Sequence, residues 1–159
     1  MGTMKNYIFE AMYIVQTPSG DLLQVSRKQK VVSDGGDTDI DSAEILKQKT
    51  TKIRLYKIHM ASEELVEINS LHGLALFLGH SQSHCLSVEE YPQLKANHVY
   101  VTDNARDITA WKSERRDICV FNLENRIREE IVPPHLWCSW PAPIWITPNL
   151  TKLGSTLKK

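Results

Sequence analysis

The chain has 159 residues, 42% hydrophobic and 24% charged, an ordinary composition for one globular domain. Nineteen Lys+Arg balance nineteen Asp+Glu; this excludes the global basic excess of a phosphate-binding surface and leaves little colloidal repulsion, so a partner is expected to aid solubility. No apolar run approaches the ~20 residues needed to cross a bilayer as a helix, and an odd count of cysteines (Cys85, Cys119, Cys138) without a signal peptide points to free thiols in a reducing compartment, cytoplasmic or nuclear.

Residues 7–15 read as one long strand or as a short helix running into one. Tyr13-Ile14-Val15 and Leu22-Leu23-Gln24-Val25 flank Thr17-Pro18-Ser19-Gly20-Asp21. That cluster supplies the turn of a hairpin, with glycine free to take positive φ. Residues 28–51 change character, since Asp34-Gly35-Gly36-Asp37-Thr38-Asp39-Ile40-Asp41 has almost no large apolar group. Such a segment cannot bury enough surface to offset its ordering entropy, and a long mobile excursion is expected over 28–51, with a helical turn or two over 42–49.

Residues 52–79 hold three short apolar runs separated by turn residues. The first two alternate, as half-buried strands do. Leu74-Ala75-Leu76-Phe77-Leu78 is unbroken, as a strand covered on both faces is. Tight connections between them predict a three-stranded antiparallel meander. Cys85–Val88, His98–Thr102, Asp117–Asn122 and Ile127–Ile131 read as further strands. Residues 105–116 read as a polar loop around Trp111. The tail from Pro133 holds five of the seven prolines and three of the four tryptophans. Proline at that density excludes a helix or a central strand, leaving an extended segment that lays its tryptophans on the sheet. Eight or nine short strands with almost no helix suit a propeller or a sandwich. A single domain over 1–150 is expected, with 151–159 a disordered tail.

Few residues point to chemistry. His80, His84 and Cys85 are zinc-ligand types at workable spacing, the basis of an alternative reading as a small metal-dependent enzyme or metal binder. They follow a strand in a polar loop without a CxxC pair, and a solvated loop with buried thiols explains them as well. Asp37, Asp39 and Asp41 resemble the start of a calcium loop, but Ser42 stands where its glycine should be and Gln48 where its glutamate should be. His98 and Asp103 lie at opposite ends of one strand, roughly 17 Å apart along an extended chain, and cannot form a dyad. Arg106, Lys112, Arg115 and Arg116 surround Trp111, but five nearby carboxylates offset them; a solvated face explains them better than a nucleic-acid site. No nucleophile elbow, phosphate loop or HExxH is present, and no metal or cofactor is expected. Trp137, Trp140 and Trp111 are the candidate protein-binding residues, since tryptophan dominates binding hot spots; plugging the open core, with the indole N–H groups on carbonyls, explains Trp137 and Trp140 equally well. Trp145, in an alternating apolar run, reads as core.

Several segments in sequence resemble a plant family. Tyr13-Ile14-Val15-Gln16 with Gly20–Val25, then Tyr56-Lys57-Ile58, Leu65–Ile68, Ser70–Gly73, Ala75–Gly79, His98–Asp103, Val120–Glu124 and Pro141–Pro148 keep the order and spacing of the DUF295 or KIB-type β-propeller domain. That domain usually follows an F-box. Leu65 stands where the family has tryptophan, and Asn125-Arg126 where it has an Asp-Gly turn. The resemblance implies an all-β partial β-propeller of about two and a half to three antiparallel blades, matching the C-terminal half of the family domain without its F-box. Open blades expose strand edges and apolar faces. The expectation is therefore a non-catalytic module that binds or neutralises another protein as a decoy, inhibitor or antidote, with a second copy or a heteromeric partner completing the open edges and with no nucleic acid or membrane involved.

Overall fold

A computed structural model describes residues 8–33, 46–79, 82–102 and 117–131. Among these the chain is all β, with nine strands and no helix. Strands β1 (Ile8–Gln16) and β2 (Leu22–Ser33) form the expected hairpin. Gly20 closes it at φ +92, donating its N–H to the Thr17 carbonyl at 2.9 Å while Thr17 N–H donates to the Asp21 carbonyl at 2.8 Å. A side chain at that φ would be strained, so the turn requires glycine.

Strand β3 (Leu46–His59) lies antiparallel to β2, and β4 (Glu64–Ile68) antiparallel to β3, giving a four-stranded blade in the order β1-β2-β3-β4. Both ends of the excursion expected over 28–51 are therefore strand, and residues 34–45 lie outside the described residues. Residues 28–33 pair with residues 46–52, and no helical turn forms at residues 46–49. Ladder hydrogen bonds satisfy the backbone of both segments, which outweighs their polar composition.

The expected three-stranded meander ends at β4. Strand β5 (Leu74–Leu78) crosses into a second sheet with β6 (His84–Ser87), β7 (His98–Val101), β8 (Cys119–Asn122) and β9 (Arg128–Glu130), in the order β6-β5-β7-β8-β9. The reason is solvation. Ala75, Leu76, Phe77 and Leu78 are all buried, and beside β4 the strand would be an edge. Between β6 and β7 it is covered on both sides. Its pairing with β7 is parallel, while every other pairing in the two sheets is antiparallel.

The sheets pack face to face, and one core fills the space between them. Tyr13, Val15, Leu23, Val25, Ile53 and Leu55 from the first sheet meet Leu76, Leu78, Cys85, Val99, Val101, Cys119 and Phe121 from the second. Each fully buried aliphatic side chain is worth ~1.5–3 kcal/mol of transfer free energy. The other face of the first sheet stays open: Ile8, Met12 and Ile14 of β1 and Leu65 of β4 are exposed. The architecture is that of a partial β-propeller, with adjacent blades stacked through their faces.

Candidate protein-binding cleft

A β-bulge sets the geometry where the two sheets join. The β2–β3 register slips between Lys28 and Gln29, so Lys28 faces Lys52 while Gln29 faces Thr50, and Thr51 is the extra residue. Regular alternation from Ile53 would aim Thr50 outward. The bulge turns it inward, where it is 2% exposed. There Thr50 N–H donates to Asp117 Oδ2 at 2.6 Å, and the Thr50 hydroxyl donates to the same oxygen. Arg27 Nη2 reaches that oxygen at 2.9 Å, Arg27 Nε donates to Thr50 Oγ1 at 2.8 Å, and Arg27 Nη1 donates to Tyr13 Oη at 3.3 Å. Arg128 donates to Asp117 Oδ1 through Nη2 at 2.6 Å and Nε at 3.2 Å, and pairs with Glu130 at 3.1 Å.

Two cations thus meet two carboxylates in a site where Arg27 and Asp117 have no exposed surface. Burial alone would raise the Asp117 carboxyl. Arg27 and Arg128, with the Thr50 hydrogen bond, outweigh it and hold the carboxyl below its usual range. A carboxylate saturated in this way offers no free lone pair for proton transfer. The cluster acts as a rivet between the sheets.

Beside it lies an open cleft of about 770 Å³. One wall is the stretch of β3 from Lys52 to Leu55 with Glu67 and Ile68 of β4; the other is Phe121, Leu123, Glu124 and Arg126 of the β8–β9 turn. Strand lengths create it. β4 pairs only with Leu55–His59, so the earlier part of β3 has no strand beside it on that side among the described residues. The two sheets touch at β1 and β6, and the Arg27 and Thr50 bonds to Asp117 tie β2 and β3 to the start of β8.

Asn97 braces the floor of the cleft. It sits at φ 61, in the left-handed region that Asn tolerates best after glycine. Its Oδ1 accepts Leu71 N–H at 2.9 Å, its N–H donates to the Leu74 carbonyl at 2.8 Å, and its carbonyl accepts Leu123 N–H at 3.1 Å. Arg126 lies in the β8–β9 turn at φ 59, a left-handed conformation that favours glycine. Asn125 Oδ1 steadies that turn by accepting Ile127 N–H at 2.9 Å. A second cavity, of about 500 Å³, lies beyond the loop carrying Asn69 and Ser70, with Asp21 and Lys57 paired at 3.1 Å on its rim.

The residues singled out from sequence are not the ones that build this cleft. Trp137, Trp140, Trp111 and Trp145 lie outside the described residues, as do Asp37, Asp39, Asp41, Asp103 and the basic loop. His80 does too, while His84 and Cys85 sit on β6. No group of three or more metal-ligating side chains occurs among the described residues, so the metal alternative is not favoured. Cys85 and Cys119 are three strand spacings apart in the sheet order, roughly 14 Å, too far to share an ion. Burial pushes both thiols up, Cys85 to about 11 and Cys119 to about 12, as inert core cysteines. Sequence reading missed Arg27, Asp117 and Arg128. The available signal was that Arg27 occupies an inward position in an otherwise regular strand.

The family model described as KIB1-4 beta-propeller matches residues 5–122, well over half of the chain. No curated protein and no solved structure matches it.

Proposed function

Because the chain belongs to the KIB1-4 beta-propeller family, we propose that it is a non-catalytic protein-interaction module that engages its partner through the cleft between the two sheets. The observation that carries this reading is the combination of a roomy cleft with a length of β3 along one wall that pairs with no strand among the described residues. Main-chain groups at a sheet edge supply affinity for an extended segment, and neighbouring side chains supply selectivity. The open outer face of the first sheet, with Met12 and Ile14 exposed, supports contact with a larger partner surface, either a second copy or another protein.

The finer reading rests on the motif resemblance between Tyr13 and Leu150. It makes the chain a plant relative of the DUF295 propellers that recruit substrates to F-box ligases, acting in the cytoplasm or nucleus as a decoy, inhibitor or antidote.

The test is affinity capture from plant extract with light scattering of the purified chain, run on wild type and on Asn69→Trp. Asn69 is exposed and borders both cavities, so tryptophan there fills the cleft without touching the core. A stoichiometric partner retained by wild type and lost by Asn69→Trp, with unchanged circular dichroism, is the expected result. A wild type that retains nothing, or a partner indifferent to the variant, defeats the reading.

A further inference from the structure

Two cross-strand pairs on the open face of the first sheet join like charges. Lys28 stands directly opposite Lys52, and Lys30 directly opposite Lys49. Like charges in facing positions destabilise a ladder. Arg54 continues the stripe opposite Ser26. Among the described residues, none of the four lysines pairs with a carboxylate. Glu10, directly opposite Lys28, accepts from the Ser26 hydroxyl and keeps its charge, which also acts on Arg54. Glu67 meets Arg54 at 4.0 Å, with both side chains largely exposed, a contact worth little. Five cations against two carboxylates, Glu10 and Glu67, therefore share one end of one face in a chain whose net charge is zero.

The edge of β3 that has no strand beside it among the described residues borders the same stripe. A strand added there continues the line of β4, opposite Arg54, Ile53 and Lys52. Its side chains alternate. One set falls on the outer face beside Lys52 and Arg54, with Lys28 in the next row. The other set enters the cleft over Ile53 and Leu123, next to Arg126. The surroundings of the two sets differ in kind, charged outside and apolar inside.

We propose that the edge of β3 at Lys52–Arg54 receives an extended segment of a partner protein in which acidic and apolar residues alternate. The inference rests on the protein-interaction reading above and adds to it the chemistry of the partner segment. Nucleic acid offers negative charge but neither the ladder donors nor an apolar inward set. The lysines, which pair with no carboxylate among the described residues, are then the counter-charges of an occupied site, and the repulsion between them is relieved on binding.

The experiment measures fluorescence anisotropy of a labelled (Glu-Val)4 peptide with the full chain. Three comparison probes are used: the same composition in block order, an alternating peptide N-methylated at every second residue, and a 20-nucleotide single-stranded DNA. The expected result is binding of the alternating peptide that weakens as salt screens it. Affinity falls about tenfold for the block and N-methylated peptides and for the double variant Lys52→Glu/Arg54→Glu. Equal binding of all peptides, preference for DNA, or no peptide binding overturns the proposal. The N-methylated probe needs no protein variant, so a folding defect cannot obscure the outcome. If wild type captures a partner that Asn69→Trp loses but Lys52→Glu/Arg54→Glu retains, the acidic-strand inference fails while the interaction reading stands. If wild type captures nothing, the interaction reading itself fails.

Discussion

Arg27 and Asp117 are 90 residues apart in the chain and 2.9 Å apart in the fold, with no surface exposed on either side chain. Taking two ions out of water is costly, and only the surrounding donors make the arrangement stable. Asp117→Ala leaves Arg27 buried and uncompensated, and the expected loss is ~3–5 kcal/mol. Thr50→Val removes one hydroxyl from the same cluster and is expected to cost ~1–3 kcal/mol. Urea unfolding of both variants checks the order. A smaller loss for Asp117→Ala than for Thr50→Val contradicts the rivet.

The same carboxylate makes stability depend on acid. Its folded pKa lies below the unfolded value, about 3.9, so its contribution is complete above that value and disappears as pH falls through the folded pKa. Melting temperatures measured from pH 7 down to pH 3 should fall more steeply for wild type than for Asp117→Asn. Parallel curves count against the assignment.

The buried thiols act at the other end of the scale. Their folded pKa values are raised, so the stabilisation they give is complete below about 8.5, the unfolded value, and declines as pH climbs toward 11. In a Cys138→Ser background, a disulfide reagent at pH 8 is expected to titrate Cys85 and Cys119 only after denaturant is added. Rapid labelling of either thiol in the native protein would place it outside the core.

Arg126 carries a cost and a use. Its φ of 59 is unfavourable for a residue with a Cβ, by ~1–2 kcal/mol. Arg126→Gly removes that strain and is expected to gain about 0.5–1 kcal/mol after the extra chain entropy of glycine. It also strips a cation from the cleft wall, so the acidic peptide should bind more weakly to the more stable protein. Stability and affinity moving in the same direction would break the link between strain and binding.

Much of the architecture is legible locally. Thr17–Asp21 announces its turn through glycine and short polar side chains, and the unbroken Leu74–Leu78 run announces a strand buried on both faces. The extent of β2 and β3 was hidden, because Lys28, Gln29, Lys30 and Lys49 look like loop residues until a neighbouring strand satisfies their backbone. The cleft was hidden for a related reason. It exists because β4 stops at Ile68 while β3 began at Leu46, a mismatch visible only once the two are aligned.

Composition, alternation and turn chemistry were enough to establish an all-β chain and to place most of its strands, since each of these signals spans fewer than about ten residues. They could not say that β5 leaves its hairpin neighbours to lie parallel to β7, that one extra residue at Thr51 swings Thr50 toward Asp117, or that facing lysines line an open edge. Those outcomes depend on which surfaces are covered by distant parts of the chain. Burial and pairing are properties of the assembled sheets, and no local pattern of side chains encodes them.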